Sequence, residues 1–294
     1  MATQLAIVTV QRSIVTMSLI AVDLGPVQET LLIPLLGRAA ETQKANGLIQ
    51  DDKAVEIVAA LDYDFSKWQK SQALAGATLR TRMYDQYVQA FLAKHPTGTI
   101  VEIGCGLNTR FERLDNGQVR WFDLDLPDSI ALRRQFFQDE PRRTMLEASV
   151  LDTDWMEPVA ATGGPWCFIS EAVIIYLEAA QARQAITQIA DRFPGAWLLI
   201  DTTAQKMVDS QATHDAMRHL SPDSWFRWVC NDPHEIEDWG NLRLVESRTF
   251  LDASPDLMKQ VPWQIRFFAQ WVPWLIRGRL EGYRLNRFVV DAAE

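Results

Sequence analysis

Two glycines and two aspartates stand at a spacing that could hold a small cofactor. Gly104 and Gly106 follow the apolar run TIVEI, and Asp123 and Asp125 come roughly 20 residues beyond Gly104, the interval typical of a nucleoside site. Glycine lets the chain turn tightly after a strand and lets a ligand approach the backbone. A carboxylate at the end of the next strand can accept hydrogen bonds from ribose hydroxyls. The spacing therefore predicts a nucleoside-binding site.

The same stretch argues against a dinucleotide. A G-x-G-x-x-G fingerprint needs a third glycine at position 109, which is Thr109. The missing glycine disfavours a pyrophosphate and favours a nucleoside cofactor without phosphate, such as S-adenosylmethionine. Asn108 or Thr109 could cap the helix that follows. A structural strand–helix turn without a ligand is the alternative, and the two aspartates weigh against it.

The four histidines are the candidate general bases, and none stands in a motif typical of a base. His95 ends a helical pattern, and His234 stands alone. His214 and His219 lie five residues apart, about 140° around a helix, which is not the spacing of a metal-binding pair. A carboxylate acceptor needs no base because its pKa is about 4, whereas a phenol with a pKa of about 10 needs one. The pattern favours a carboxylate, although a histidine from a cap could still reach the pocket.

Short apolar runs alternate with helical segments after residue 98, and these elements must position the candidate residues. The runs are 99–103, 119–124, 147–151, 166–170 and 196–200, with helical patterns at 127–138 and 178–193 and further strands at 241–250 and 282–290. This alternation predicts an α/β fold with a mostly parallel seven-stranded sheet and helices on both faces. Residues 27–95 and those after 203 have a helical pattern.

Composition and charge narrow the functional classes. The chain has 294 residues and a formal charge of −9, so we expect one large domain and no nucleic-acid partner, which would need a basic face. Cys105, Cys167 and Cys230 lie far apart without a C-x-x-C motif. They predict neither a disulfide framework nor a zinc site, and favour a reducing cytoplasm.

The N-terminal region is apolar but is not predicted to span a membrane. Gln11 and Arg12 interrupt the apolar residues 6–22, and the remaining run is too short to cross a bilayer. The basic start of a signal peptide is also missing. We interpret residues 1–25 as an N-terminal extension of unknown role.

Several motifs, in order, carry a resemblance to a known family. VEIGCGLNTRFERL, WFDLDLP, FISEAVIIYLE, VQETLLIPLLGRAAET, RTRMYD and RFPGAWLLID resemble the leucine carboxyl methyltransferase family, in particular its bacterial branch. The resemblance covers about 26–290. It implies a class I, Rossmann-like methyltransferase domain over 26–294, with S-adenosylmethionine as cofactor and helical cap segments at about 26–95 and 204–280.

The resemblance also implies roles for the residues after the first two strands. Gly104 and Gly106 would line the methionine part of the cofactor, with Cys105 between them at the same site. Asp125 would hold the ribose, and Asp123 would lie beside it.

Further residues follow from the later strands and from RTRMYD. Ser149 and Val150 would flank the adenine, Glu171 would lie near the cofactor amino group, and Tyr176 close to the methyl group. Either Arg80 or Arg82 would pair with the cofactor carboxylate, because the forked donors of arginine suit it. The family usually has Asp where this chain has Asn108, which puts any charge-based role of that position in doubt.

A basic, aromatic segment near the C-terminus is the candidate wall for the acceptor. Trp263, Phe267, Trp271 and Trp274 recur at helical spacing, and basic residues outnumber acidic ones around them: Lys259, Arg266, Arg277, Arg279 and Arg284. One interpretation is an aromatic wall for an anionic, aromatic acceptor, and the other is a core-facing helix with a solvated basic face.

Three functions remain open from the sequence. The first is O-methylation of a carboxylate on a small molecule, in secondary metabolism. The second is a phenol or hydroxyl O-methyltransferase, and the third is a catalytically silent, cofactor-binding partner subunit. The sequence predicts neither the acceptor nor the oligomeric state.

Overall fold

A seven-stranded sheet lies at the centre of the structure, a computed structural model that describes residues 19–260 and 281–292. The strands, including a separate short pair, are β1 Ile20–Ala21, β2 Leu61–Asp62, β3 Thr99–Ile103, β4 Arg120–Asp125, β5 Arg143–Glu147, β6 Trp166–Ser170, β7 Trp197–Thr203, β8 Leu242–Arg248 and β9 Tyr283–Val290. The large sheet has the order β5-β4-β3-β6-β7-β9-β8, and β1 pairs with β2. Within the group β3 to β7, all neighbouring strands run parallel to each other. Strand β9 runs antiparallel to both of its neighbours, β7 and β8.

Helices and short 3-10 turns connect these strands. The α-helices are α1 Leu32–Thr42, α2 Asp52–Ala60, α3 Ala73–Lys94, α4 Arg110–Leu114, α5 Pro127–Arg133, α6 Met156–Ala160, α7 Ala179–Arg192, α8 Gln205–Asp209 and α9 Pro255–Gln260. The 3-10 turns are Gln28–Leu31, Phe65–Trp68, Ile174–Tyr176, Gln211–Thr213, Met217–His219, Pro222–Ser224, Pro233–Trp239 and Phe250–Asp252. No helix in the described part of the chain is long and apolar enough to cross a membrane.

The central strands are covered on both faces. Every residue of β3 and of β7 is buried, as expected for strands with helices packed on both sides of a sheet. One apolar core joins α1 and α3 with the sheet and with α7. This rigid centre fixes the positions of the loops at the strand ends.

The strand order reverses beside β3, and this reversal creates a crevice. The chain passes from β3 outward to β4 and β5 and then returns to β6 on the other side of β3. The loops after β3 and β6 therefore diverge, which opens a ligand site at the carboxyl ends of the strands. The glycine turn, Asp125 and Glu171 all lie at this edge.

The predicted α/β sheet is confirmed, with one strand misplaced. The first and fourth apolar runs form β3 and β6 with the predicted bounds. The strand predicted at 147–151 is wrong, because β5 ends where that run begins. Its first residue, Arg143, is buried in ion pairs with Asp123 and Glu112. Because this strand begins with a charged residue, its sequence does not show the apolar pattern of a buried strand.

The region after β7 is not the helical cap that its pattern predicts. Between residues 204 and 260 the α-helices are short, and the remainder is mostly 3-10 turns, loops and β8. Pro222 and Pro233 each stand at the start of a turn, where a missing N–H is tolerated. His214 and His219 consequently do not share a helix.

Parts of two predicted segments lie outside the described residues. They are the first 18 residues of the N-terminal extension, and residues 261–280, which hold Trp263, Phe267, Trp271 and Trp274.

Candidate active site

A cavity of about 1200 Å³ opens at the carboxyl ends of the central strands. Its floor consists of the loops after β3, β4, β5 and β6, and its walls come from segments before residue 81 and after residue 206. Pockets for one small ligand usually measure about 300–1,000 Å³. The volume therefore leaves room for a cofactor and a second ligand.

The glycine turn forms the middle of the floor. Gly104 and Gly106 have φ angles of 63° and 45°, in the left-handed region that favours glycine. A Cβ built on Gly104 would lie 2.3 Å from Cγ2 of Val173, in the loop after β6. The turn thus needs glycine both for its backbone conformation and for the close approach of the neighbouring loop.

Asp125 ends β4 beside this turn and lines the cavity. Its Oδ2 accepts from the amide of Gly106 at 2.7 Å, and its Oδ1 accepts from the amide of Leu126 at 2.8 Å. Burial raises the pKa of Asp125 to about 6, although both amides act in the opposite direction. An ionised carboxylate offers about four acceptor positions, and the two amides and the nearby hydroxyl of Ser129 leave at least one for a hydroxyl group of a ligand.

Asp123 does not line the cavity, although the sequence places it beside Asp125. Its Oδ2 accepts from Arg143 at 2.6 Å and from Arg133 at 3.1 Å. Arg133 in turn donates to the carbonyl oxygens of Gly106 and Asn108 at 2.7 and 2.9 Å. Asp123 therefore supports the glycine turn from behind through Arg133.

Cys105, Ser149 and Val150 line the cavity on the side of β4 and β5. Burial raises the pKa of the Cys105 thiol well above its ordinary value, so this side chain is a neutral wall. Ser149 and Val150 follow β5 in a turn closed by a bond from the amide of Ser149 to Asp152 at 2.9 Å. Their position beyond Asp125 suits a flat ring attached to a ribose.

Glu171 and Arg80 form a buried ion pair at the opposite side of the turn. Oε1 of Glu171 accepts from Nε of Arg80 at 3.0 Å and from the hydroxyl of Thr81 at 2.7 Å, and Oε2 accepts from Arg110. Burial raises the pKa of Glu171, but Arg110 and Arg80 outweigh it, so the net shift is downward. Both Glu171 and Arg80 line the cavity, whereas Arg82 does not.

A chain of hydrogen bonds behind Arg80 fixes its position. Nη1 of Arg80 donates to the hydroxyl of Tyr283 at 3.1 Å, and Tyr283 donates to Asp201. Both oxygens of Asp201 also accept from the amide of Ala172 at 3.0 Å. Ala172 has a φ of 54°, a left-handed conformation that is uncommon for alanine. Asp201 and Tyr283, neither predicted from the sequence, thus hold Arg80 and the loop of Glu171 together.

Asn108 lines the cavity, but its side-chain oxygen is buried. Its Nδ2 donates to Glu102 at 2.8 Å, and burial raises the pKa of Glu102 to about 7 while Arg110 opposes the shift. The buried Oδ1 of Asn108 has no hydrogen-bond partner among the described residues. The predicted cap is wrong: no side chain caps α4 in the described structure, and Thr109 donates to Asp51.

The remaining part of the cavity is mostly apolar, and we call it the acceptor half. Tyr176 packs edge-on against Phe226, with 5.1 Å between the ring centroids. Further apolar side chains line it, namely Met207, Met217, Phe250, Leu251 and Met258. Burial raises the pKa of Tyr176, so its hydroxyl is neutral. His214 also lines this half, unlike His95, His219 and His234.

Residues 25–31, which we call the strap, cross one side of the cavity. The amide of Gly25 donates to Asp128 at the start of α5 at 3.2 Å. The carbonyl oxygen of Pro26 accepts from the hydroxyl of Ser224. The strap therefore joins the floor, near Asp125, to the wall of the acceptor half.

Residues 32–190 match the family described as leucine carboxyl methyltransferases, which is more than half of the 294-residue chain. The chain belongs to the leucine carboxyl methyltransferase family. The resemblance seen in the sequence motifs is thereby confirmed, and so is the prediction of a methyltransferase that uses S-adenosylmethionine.

Two relatives and one solved structure are similar to this family member over most of their length. The chain is 28% identical over 235 residues to the tetracenomycin polyketide synthesis O-methyltransferase TcmP of Streptomyces glaucescens, covering 79% of this chain and 86% of TcmP. It is 26% identical over 296 residues to the S-adenosyl-L-methionine-dependent methyltransferase dpfgK of Gibberella zeae, covering 89% and 95%. A candidate methyltransferase from Thermobifida fusca YX shares the fold, with a TM-score of 0.55, 17% identity and coverage of 87% and 95%.

The floor of the cavity in this methyltransferase fits its cofactor. The glycine turn lines the cavity, and Asp125 beside it keeps an acceptor position that neither amide occupies. Arg80 offers a guanidinium from the wall beside this floor, which suits a carboxylate. The carboxylate of Asp125 and the guanidinium of Arg80 suit the ribose hydroxyls and the carboxylate of S-adenosylmethionine.

Proposed function

We propose that this enzyme methylates a carboxylate oxygen of a small, largely apolar molecule and so forms a methyl ester. The acceptor half carries the proposal, because it is mostly apolar and its histidine has the Nδ1 lone pair engaged by the backbone amides of Ala216 and Met217, both at 3.4 Å. The family of leucine carboxyl methyltransferases supports a carboxylate, and the polyketide-synthesis relative supports an apolar acceptor of secondary metabolism.

A carboxylate acceptor reduces the task of the protein to binding and orientation. The acceptor is already ionised at neutral pH, because its pKa is about 4. The bound cofactor supplies an activated methyl group, and transfer needs the acceptor oxygen in line with it. The protein must exclude water and align the two ligands, and the mostly apolar acceptor half supports the exclusion of water.

We assign the cofactor to the floor of the cavity. In this proposal Asp125 accepts from the ribose hydroxyls, and Arg80 pairs with the cofactor carboxylate. Glu171 holds Arg80 instead of facing the amino group, because its oxygens already accept from Arg80, Thr81 and Arg110. Further residues complete the proposed site, namely Gly104, Cys105, Gly106, Ser149 and Val150 at the cofactor and Tyr176 near the methyl group.

The organisation of the chain supports the same proposal. We infer one methyltransferase domain over 26–294, because segments before residue 81 and after residue 206 both line the cavity. Free, buried side chains at Cys105, Cys167 and Cys230 suit a reducing cytoplasm.

Product chemistry and a pH profile test the proposal together. A mixed panel of aromatic carboxylates and phenols is incubated with S-adenosylmethionine, and the best acceptor is followed with both substrates saturating. We expect a base-labile methyl ester, and a rate that is nearly flat from about pH 6 to about pH 8, since the acceptor is fully ionised there.

Two outcomes contradict the proposal. A base-stable aryl ether, with a rate that rises about tenfold per pH unit or levels off near pH 7, identifies a phenol O-methyltransferase. Binding of S-adenosylhomocysteine without turnover of any acceptor identifies a catalytically silent cofactor-binding subunit.

A further inference from the structure

His214 occupies a defined position in the acceptor half. It lies between the 3-10 turns Gln211–Thr213 and Met217–His219. Gln211 anchors the first turn, because its Oε1 accepts from the amide of Phe226 at 2.6 Å and its Nε2 donates to the carbonyl oxygen of the same residue at 3.0 Å. The turn that precedes the histidine is therefore anchored to Phe226, which packs on Tyr176.

The contacts of the ring determine which nitrogen carries its proton. Nδ1 accepts from the backbone amides of Ala216 and Met217, both at 3.4 Å. A proton on Nδ1 would face these two N–H groups, so the lone pair belongs there. Burial lowers the pKa of His214, and Asp215 opposes this shift. At neutral pH the ring is neutral, and its proton lies on Nε2.

The charged groups around His214 do not reverse this assignment. Oδ1 of Asp215 is 3.9 Å from Nδ1, while Oδ2 accepts from the amide of Gln72 at 2.7 Å. Lys70, on the same segment as Gln72, also lines the cavity. Nε2 has no hydrogen-bond partner among the described residues, so an N–H group is left available.

We propose that His214 is a positioning residue whose Nε2–H donates a hydrogen bond to an sp² oxygen of the methyl acceptor. The inference rests on the proposed function, since a carboxylate offers such an oxygen beside the one that receives the methyl group. His214 is not the general base, because accepting a proton at Nε2 would require the neutral ring to carry its other proton on Nδ1, against the amides of Ala216 and Met217.

The proton position is tested first, without any acceptor. The chain has four histidines, so the ring nitrogens of protein labelled with ¹⁵N-histidine give four sets of signals, and the set missing in His214→Asn belongs to His214. At pH 7 we expect a protonated Nε2 and an unprotonated Nδ1. A protonated Nδ1, alone or together with Nε2, overturns the proposal.

A matched pair of variants tests the hydrogen bond. The carbonyl oxygen of Asn at position 214 can still accept from the two amides, but its side chain is too short to replace Nε2, whereas Gln extends an N–H₂ group further. The probe is the tightest-binding ligand among benzoate, 2-naphthoate and anthracene-2-carboxylate, titrated into protein saturated with S-adenosylhomocysteine. We expect His214→Asn to weaken its binding about tenfold, and His214→Gln to recover most of that loss.

The remaining outcomes separate this proposal from the proposed function. Unchanged binding of the probe to His214→Asn overturns the positioning role, as does a kcat reduced by a hundredfold or more at unchanged KM, which is typical of a lost base. S-adenosylhomocysteine should bind both variants as it binds the wild-type enzyme. If the wild-type enzyme fails to bind S-adenosylhomocysteine or to form methyl esters, the proposed function is refuted. The position of the proton on His214 is measured independently of cofactor binding and of ester formation.

Discussion

Asp125 links the affinity for the cofactor to pH. Burial raises its pKa to about 6 in the free enzyme, while an unfolded aspartate titrates at about 4. The protonated form thus favours the folded free enzyme at low pH, and this contribution to stability is lost as the pH rises through about 6. Ribose hydroxyls have the opposite preference, because they donate best to an ionised carboxylate.

We therefore expect the affinity for S-adenosylhomocysteine to be highest above about pH 6 and to fall towards tenfold per pH unit below it. Calorimetric titrations at a series of pH values measure this dependence. Asp125→Asn is the control, because it cannot ionise but still accepts hydrogen bonds, and it leaves any titration of Glu102 in place. The same slope in both proteins would exclude Asp125 as its source.

The two arginines of RTRMYD provide a matched pair at the residue scale. Arg80 lines the cavity, whereas Arg82 contacts Asp85 at 3.4 Å and does not. We expect Arg80→Lys to weaken S-adenosylhomocysteine binding about tenfold, because lysine loses the forked contact with a carboxylate. Arg82→Lys should stay within about twofold of the wild type. Equal losses in calorimetry would mean that neither arginine binds the cofactor directly.

At the scale of elements, the turn from β3 to α4 can be tested by adding a methyl group. Gly104→Ala places a Cβ 2.3 Å from Val173 at a φ of 63°, whereas Gly117→Ala meets open space at a φ of 80°. We expect Gly117→Ala to lower the free energy of unfolding by about 1 kcal/mol through backbone strain alone. Gly104→Ala should lower it by about 3 kcal/mol, since overpacking adds to that strain.

The double variant Gly104→Ala/Val173→Ala separates these two contributions. It removes the methyl groups that the new Cβ would meet, so it should regain part of the loss relative to Val173→Ala alone. Urea unfolding of all four variants gives the comparison. Additive effects, with equal losses at Gly104 and Gly117, would show that the loop after β6 does not restrict the turn.

The strands that are buried mainly through apolar side chains could be predicted from the sequence. Apolar parallel strands such as β3 and β6 are evident from their residues, and the residues that follow them meet at one edge of the sheet. The sequence of β5 begins with Arg143, whose burial depends on ion pairs from other elements. The helical pattern after β7 misled for a related reason: tertiary contacts such as those of Gln211 hold that region in short turns.

Only the site residues that follow directly from the strand ends were predictable from the sequence. Gly104 and Asp125 lie next to strand ends, so their positions follow from the strand order. Asp201 and Tyr283 lie on β7 and β9, which pair only because the last strand inserts antiparallel beside β7. Their hydrogen bonds hold Arg80, which is why the sequence could not decide between Arg80 and Arg82.

At the scale of the whole molecule, the cofactor should stabilise the fold, because the cavity is built from separate parts of the chain. Segments before residue 81, the central loops and segments after residue 206 all line it. S-adenosylhomocysteine at 100 times its Kd should add about 2.7 kcal/mol to the free energy of unfolding, and NAD should add nothing. Thermal unfolding with each ligand measures this. A response to NAD but not to S-adenosylhomocysteine would contradict the assignment of the cavity.

The two hydrogen bonds that hold the strap also have a consequence for how fast a ligand could leave the cavity. The bonds from Gly25 to Asp128 and from Ser224 to Pro26 must both break before that side of the cavity opens. Each contributes about 1 kcal/mol, so the open form is a minor population that re-forms continually. A spent cofactor that leaves by this side would do so from that minor population. Deuterium uptake by the amide of Gly25 reports the same opening, so the rate of release can be compared with the frequency at which one hydrogen bond breaks.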